Sequence, residues 1–407
     1  MDISAHRHAG TPARLFLQFA AAAALLAGCG GGGDAGTSPF GTGASGASTS
    51  SFAAGAISGF GSVIVNGVRF DDSTAKVSDD DGGAADSSAL KLGMRVEIQG
   101  GAVSDDGTGP RAMAKEIRFG SELVGPVSAV DATAKSLVVL GQTVLVVDTT
   151  VIDDRLVGGF AAITVGSILE VHGTRDAATG AITATRIEPT AAAAGFRLRG
   201  IVANLDSTAK TFTIGAALVS YAGANPVPAN LANGLMVRVR VQAAPVGAAL
   251  VATRIEVAAP RVDDANEAEI EGSITAFTSS ASFSVNGIPV DASNATFPEG
   301  TTGVVLGAQI EVHGTSSNGV VMASRVDVEN HAQRHDEGFE LHGAITAIDT
   351  AAKTFVLRGV TVSYGATAVD FRKGTEAQLA VGVRLEVRGT LSADGTMLQA
   401  MRISFGD

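Results

Sequence analysis

A glutamate set between two apolar residues recurs along this chain, at Glu97, Glu170, Glu311 and Glu386. Carboxylates of this kind carry acid–base and glycosidic chemistry when a second acid stands at a fixed distance. Each glutamate here lacks a partner acid in its own motif, so the recurrence is a poor catalytic signature. Arg186, Arg254, Arg325 and Arg402 recur in the following segment. A cross-strand Glu–Arg pair on an outer face accounts for both residue types, at roughly 0.2–1 kcal/mol. The pairing is imperfect: copy one carries Lys115 and Glu116 in that segment, and copy three sets Arg238 against Arg254.

His172 and His313 share one position, where the other copies have Gln99 and Arg388, which reads as an ordinary surface site. His331 and His335, beside Asp336 and Glu337, could hold zinc on a helix, but their polar linker offers no third fixed ligand. Asp79, Asp80, Asp81, Gly82 and Asp86 could attract calcium, yet they lack the alternating spacing of a calcium loop and read as a solvated loop. At the end of the third strand, Asp71, Asp148 and Asp291 alternate with Tyr221 and Tyr364. If the chain reads a ligand, those two tyrosines mark the modules to test. There is no Gly-x-Ser-x-Gly elbow, no phosphate-cradling loop and no Cys–His pair. No catalytic, cofactor-binding or metal-binding residue is assigned.

The elements that hold these residues are short strands. Val383 to Gly389 alternates strictly, as a half-buried strand does. Asp394-Gly395, Asn66-Gly67 and Asn286-Gly287 are hairpin turn pairs, and Asp-x-Thr-Ala-Lys recurs at Asp131 to Lys135 and Asp206 to Lys210. The end of the fourth strand recurs at Gly100, Gly173, Val241, Gly314 and Gly389, a period of about 70 residues. Five antiparallel strands in each unit fit a small barrel, OB-like or SH3-like, whose closure removes exposed edges. A stacked solenoid with one continuous core is the rival, disfavoured by linkers of unequal length. Modules this small are individually marginal, so some packing between neighbours is expected. The fold expected is all-β: five small five-stranded barrels over residues 55–120, 121–190, 196–259, 268–329 and 339–407.

The order Gly-x-Ile, turn, Phe-x-Val-x-Gly, Val-x-Val, Gly-x-x-Val-Glu-Val-x-Gly, Asp-Gly-Thr, Ala-x-x-Ile resembles the repeat domain filed as domain of unknown function 5666. The resemblance runs over about residues 55–407 in five copies. Copy three is weakest, with Arg238 for the motif Glu and Val241 for its Gly. The family occurs in bacterial lipoproteins and exported proteins and has no established activity. It implies a fold and a compartment, not a function.

Residues 1–28 read as a targeting segment: Arg7 and Arg14 precede a short apolar run from Leu15 to Leu26. Leu26-Ala27-Gly28-Cys29 resembles the lipobox of bacterial lipoproteins, which implies cleavage before Cys29 and acylation of that residue. The alternative is a plain signal peptide with a chance cysteine, but Cys29 is the single cysteine of the chain. Two or more acyl chains anchor stably where one does not. Residues 29–54 are Gly/Ser-rich and read as a flexible tether reaching roughly 25–30 Å. Gly30, in place of an aspartate, favours the outer membrane by the sorting rule for such lipoproteins. With no second cysteine there is no internal disulfide, and each core must hold itself.

The chain has 29 basic and 41 acidic residues, net −12, which disfavours nucleic acid as a partner. It has no Trp and two Tyr, which lowers sugar-binding and single-strand-binding readings. Phe212, Phe283 and Phe355 sit at apolar repeat positions and read as core. The function expected is a non-catalytic one: a membrane-anchored envelope scaffold that binds an unidentified protein, or else a multivalent polysaccharide or cell-wall binder. A hydrolase or metal-dependent enzyme is the third reading.

Overall fold

The computed structural model describes residues 50–105, 107, 109–191, 195–242, 249–329, 338–365 and 368–406. Cys29, residues 29–49 of the tether and the His331/His335 pair lie outside them; Ser51 to Ala54, read from sequence as the end of the tether, instead begin the first strand and are buried. Among the described residues there are strands, turns and short 3-10 turns but no α-helix, and no helix is long and apolar enough to cross a membrane.

Each segment closes a five-stranded ring in the same order. In the last segment, Phe339–Asp349 pairs antiparallel with Thr354–Leu357, which pairs with Val360–Ser363. That third strand runs parallel to Leu398–Phe405, which pairs with Arg384–Leu391, and this closes on the first strand. The order 1-2-3-5-4-1, with strands three and five parallel, is that of an OB-like barrel and decides between the two barrel types expected. Equivalent pairings build a ring from Ser51–Phe60 to Pro110–Phe119, one from Leu123–Asp131 to Ile182–Pro189, one from Phe196–Ile201 to Ala249–Val257, and one from Ala265–Ser279 to Val320–Val328. They are called barrels 1 to 5 in chain order.

Local chemistry explains the turns. In the Asp-x-Thr-Ala-Lys turn, the Asp131 carboxylate accepts from the Thr133 and Ala134 amides, and Asp206 does the same for Thr208 and Ala209. The closing lysines, Lys135, Lys210 and Lys353, take positive φ of 46°, 56° and 52°. The aspartate thus satisfies the amides that a tight turn strands, which offsets the cost of a left-handed lysine. On the fourth strand the burial of Arg95–Gly100 alternates residue by residue, with Val96 and Ile98 inside.

The motif glycine sits where the fourth and fifth strands slip register, between His172 and Gly173, His313 and Gly314, and Arg388 and Gly389. A Cβ on Gly389 would stand 2.1 Å from the Gln399 carbonyl oxygen, and one on Gly314 2.1 Å from that of Met322. The glycine is therefore required by close backbone approach at a β-bulge.

Closure does not remove every edge, contrary to the expectation from ring closure alone. The first strand is long: its N-terminal half bonds the fourth strand and its C-terminal half the second, so each half keeps one edge. Other barrels take those edges. Ser51 to Ala54 of barrel 1 pair in parallel with Glu267 to Ile270 of barrel 4. Gly59 and Phe60 pair in parallel with Glu340 and Leu341 of barrel 5. Leu123 and Val124 of barrel 2 pair with Leu198 and Arg197 of barrel 3. The cores follow these seams. One joins barrels 1 and 5, a second joins barrels 2 and 3, and the third fills barrel 4 together with Phe52 and Ala54 of barrel 1. Phe212, Phe283 and Phe355 are buried within these cores, as expected.

Candidate functional site

The repeated glutamates and arginines do not meet as expected. Across the fourth and fifth strands Glu170 lies opposite Glu188 and His172 opposite Arg186, so the arginine faces the residue two beyond the motif glutamate. The same holds in barrels 4 and 5, where Arg325 faces His313 and Arg402 faces Arg388. In barrel 3, Arg238 faces Glu256, and Arg254 faces Arg240. Sequence spacing alone could not locate the bulge or the hairpin length, and these set the register. Residues two apart share a strand face, and the arginines use that instead. Arg325 binds Asp327 through two contacts of 2.6 Å, and Arg186 reaches Glu188 at 3.0 Å.

Glu97, Glu170 and Glu386 find cations elsewhere. Glu170 pairs with Arg197 of barrel 3 at 3.1 Å, and Glu386 with Arg388 at 3.1 Å. Glu97 lies 3.9 Å from Arg118 and accepts from the Arg261 amide. It lines a cavity of about 60 Å³ where barrels 1, 3 and 4 meet, with Arg95, Arg199 and Arg238. Burial pushes the Glu97 carboxyl up, against the pull of Arg199 and Arg118.

The acidic run of barrel 1 is not a solvated loop. Asp80 and Asp81 meet Arg238 at 2.8 and 2.9 Å, and Asp81 also pairs with Arg240 and with Arg197 of barrel 3. Asp79 accepts from the Asp81 and Gly83 amides, and Asp86 from the Ser88 amide, which is turn chemistry. Between barrels 1 and 2, Lys91 reaches Glu188 at 2.7 Å, while Arg186 binds Asp153 and the Leu92 carbonyl.

His172 is likewise not on the surface. It is fully buried, its Nδ1 2.9 Å from the Gly120 carbonyl oxygen. A carbonyl only accepts, so Nδ1 carries the proton. Burial holds this imidazole below its usual pKa, outweighing Glu170 and Glu188. His313, at the equivalent position, stays partly exposed.

Tyr221 and Tyr364 are buried, with ring centroids 5.7 Å from Phe212 and 5.8 Å from Phe355. They are core residues and cannot act as ligand platforms.

Among the described residues, two sets bring three ligand-type atoms within 4.8 Å of one another: Glu269, Glu311 and His313 in barrel 4, and Glu340, His342 and Glu386 in barrel 5. Neither set was recognised from sequence. The signal available was Glu311-Val-His313, in which two potential ligands share a strand face, but the third member comes from another strand.

Comparisons with known proteins supply no activity. No curated protein matches the chain. A solved structure described as "drosophila Unr CSD456" aligns at 12% identity over 56% of this chain and 100% of that one, with a TM-score of 0.15, too low to carry an argument. A family model, Domain of unknown function (DUF5666), matches residues 124–188, 271–327 and 342–404. In barrels 2, 4 and 5 the chain therefore resembles that repeat family.

Proposed function

We propose that this chain is a lipid-anchored cell-envelope protein with a non-catalytic scaffolding role, tethered through Cys29 and facing a protein partner. One observation carries the non-catalytic reading. Three of the four repeated glutamates that sequence spacing offered for catalysis are engaged with guanidinium groups, Glu170 with Arg197, Glu386 with Arg388 and Glu97 near Arg118. Carboxylates spent on guanidinium partners are not poised for proton transfer. OB-like barrels elsewhere bind ligands on the face of strands two and three and on adjacent loops. Here the second-strand rings Phe212, Phe283 and Phe355 point into the core. With Tyr221 and Tyr364 also buried, no observation favours the glycan reading over a protein partner. Fold analogy alone assigns no ligand.

The test is crosslinking in the native envelope with partners identified by mass spectrometry, beside the Cys29→Ala variant. A specific protein captured by the parent, together with membrane release of the variant, supports the proposal. Capture of glycan alone, or unchanged membrane association of Cys29→Ala, overturns the corresponding half of it.

A further inference from the structure

We infer that barrel 4 carries a divalent-metal site built from Glu269, Glu311 and His313. The three residues sit on two adjacent antiparallel strands. Glu269 is directly opposite His313 in register, and Glu311 lies two residues before His313 on the same face. Their ligand atoms converge within 4.8 Å. His313 stands 3.9 Å from Glu269 through Nδ1 and 3.8 Å from Glu311 through Nε2. A third carboxylate, Asp327, lies 4.0 Å from Nε2 and is oriented by both of its contacts to Arg325. One imidazole and two carboxylates are the donor set of zinc and its first-row neighbours, and a sheet holds such ligands more firmly than a loop does.

Comparison within the chain says why barrel 4 suits a metal. The position of His313 is occupied by Arg240 in barrel 3 and by Arg388 in barrel 5. In barrel 5, Arg388 lies 3.1 Å from Glu340, and Arg69 of barrel 1 binds the same carboxylate. There a guanidinium occupies the position that His313 holds in barrel 4. In barrel 2 the position is His172, which is fully buried and out of reach of an incoming ion. Among the residues at this position in these four barrels, His313 alone is an imidazole with partial exposure, its side chain 39% accessible. Two of the three ligands, Glu269 and His313, also border a cavity of about 450 Å³ along the seam with barrel 1, lined in addition by Phe52 and Asn66. A metal held there keeps open positions toward that cavity, as catalytic and bridging sites do and closed structural sites do not.

The experiment is equilibrium dialysis of the full chain against zinc, with bound metal counted by elemental analysis in the parent and three variants. The quantity read is the difference from the parent, so zinc held elsewhere cancels. His313→Arg installs the residue barrel 5 already tolerates at this position, and Glu311→Gln keeps shape while removing charge. Both are expected to lose about one equivalent of zinc, or to weaken its binding at least about tenfold. Glu386→Gln, in the barrel 5 set, is expected to match the parent. Circular dichroism confirms that each variant is folded; if His313→Arg is not, Glu311→Gln carries the test. Equal zinc in the parent and in the folded site variants overturns the proposal. So does loss of the metal in Glu386→Gln with retention in Glu311→Gln.

Discussion

Arg238 of barrel 3 and Asp80 of barrel 1 lie 2.8 Å apart, with side chains 8% and 17% exposed, so a largely buried ion pair joins two barrels that share no strand pairing among the described residues. Asp81 and Glu256 complete the surroundings of the guanidinium at 2.9 and 3.4 Å. Removing one member of a buried pair leaves the other charge uncompensated. Arg238→Ala is expected to lower unfolding free energy by about 3 kcal/mol, measured by urea denaturation. Adding Asp80→Asn to Arg238→Ala should recover part of that loss, and full additivity of the two changes would count against a coupled pair.

Stability is expected to fall in mild acid because His172 is buried. Its folded pKa lies below the ordinary value of 6.5, so below pH 6.5 the unfolded chain takes up a proton that the folded chain refuses. The slope is about 1.4 kcal/mol per pH unit for one proton, down to the folded pKa, below which the loss levels off. Glu170, Glu188 and Arg186 are the charged groups that face the ring. His172→Gln, the residue that barrel 1 carries as Gln99, should flatten this part of the profile in urea midpoints taken between pH 7.5 and pH 5. An unchanged slope would show that the ring is not held neutral.

Tyr364 is expected to matter for stability and not for recognition. It is 3% exposed and packs on Phe355. Tyr364→Ala should cost about 3–5 kcal/mol, as other large-to-small changes at buried aromatics do. Tyr364→Phe should stay close to the parent in thermal melting.

The bulge glycine gives a fourth expectation. Gly389→Ala sets a Cβ against the Gln399 carbonyl oxygen, a backbone atom that cannot swing aside. The strain expected is about 1–3 kcal/mol, read from the urea midpoint. Gly101→Ala, where a Cβ comes no closer than 3.8 Å to the Met113 carbonyl oxygen, is the control and should stay close to the parent.

Barrels 2 and 3 share one core and a strand pair. Residues 121–259 expressed together should melt cooperatively. Residues 121–190 alone lose the partner for Leu123 and should melt earlier or remain unfolded in circular dichroism. Equal stability of both fragments would mean that the seam contributes little.

Much of the fold was legible because it is written locally. Asn66-Gly67, the Asp131 to Lys135 turn and the alternation around Glu97 each report a turn or a strand face within a few residues, and repetition turned those fragments into barrels. What could not be read depends on distant segments. Nothing near Gly59 says that Glu340 lies beside it, although a Cβ there would meet the Glu340 carbonyl oxygen at 2.2 Å. Nothing near Asp80 announces Arg238. His172 and His313 look alike in sequence, but only His172 is fully buried, with its Nδ1 on the Gly120 carbonyl oxygen. The site in barrel 4 was missed for the same reason, since Glu269 belongs to another strand.

The seam at Ser51–Phe60 also bears on the order in which the molecule can be completed. This strand leaves the ribosome first among the barrels, yet its parallel neighbours at Glu267 and Glu340 are made roughly two hundred residues later or more. Barrels 2 and 3 can join before the C-terminal segments arrive, but barrel 1 must wait with two bare edges. A chain cut short before barrel 4 would keep those edges exposed and is the form most prone to self-association. The last barrels are thus the clasp that ends the vulnerable interval.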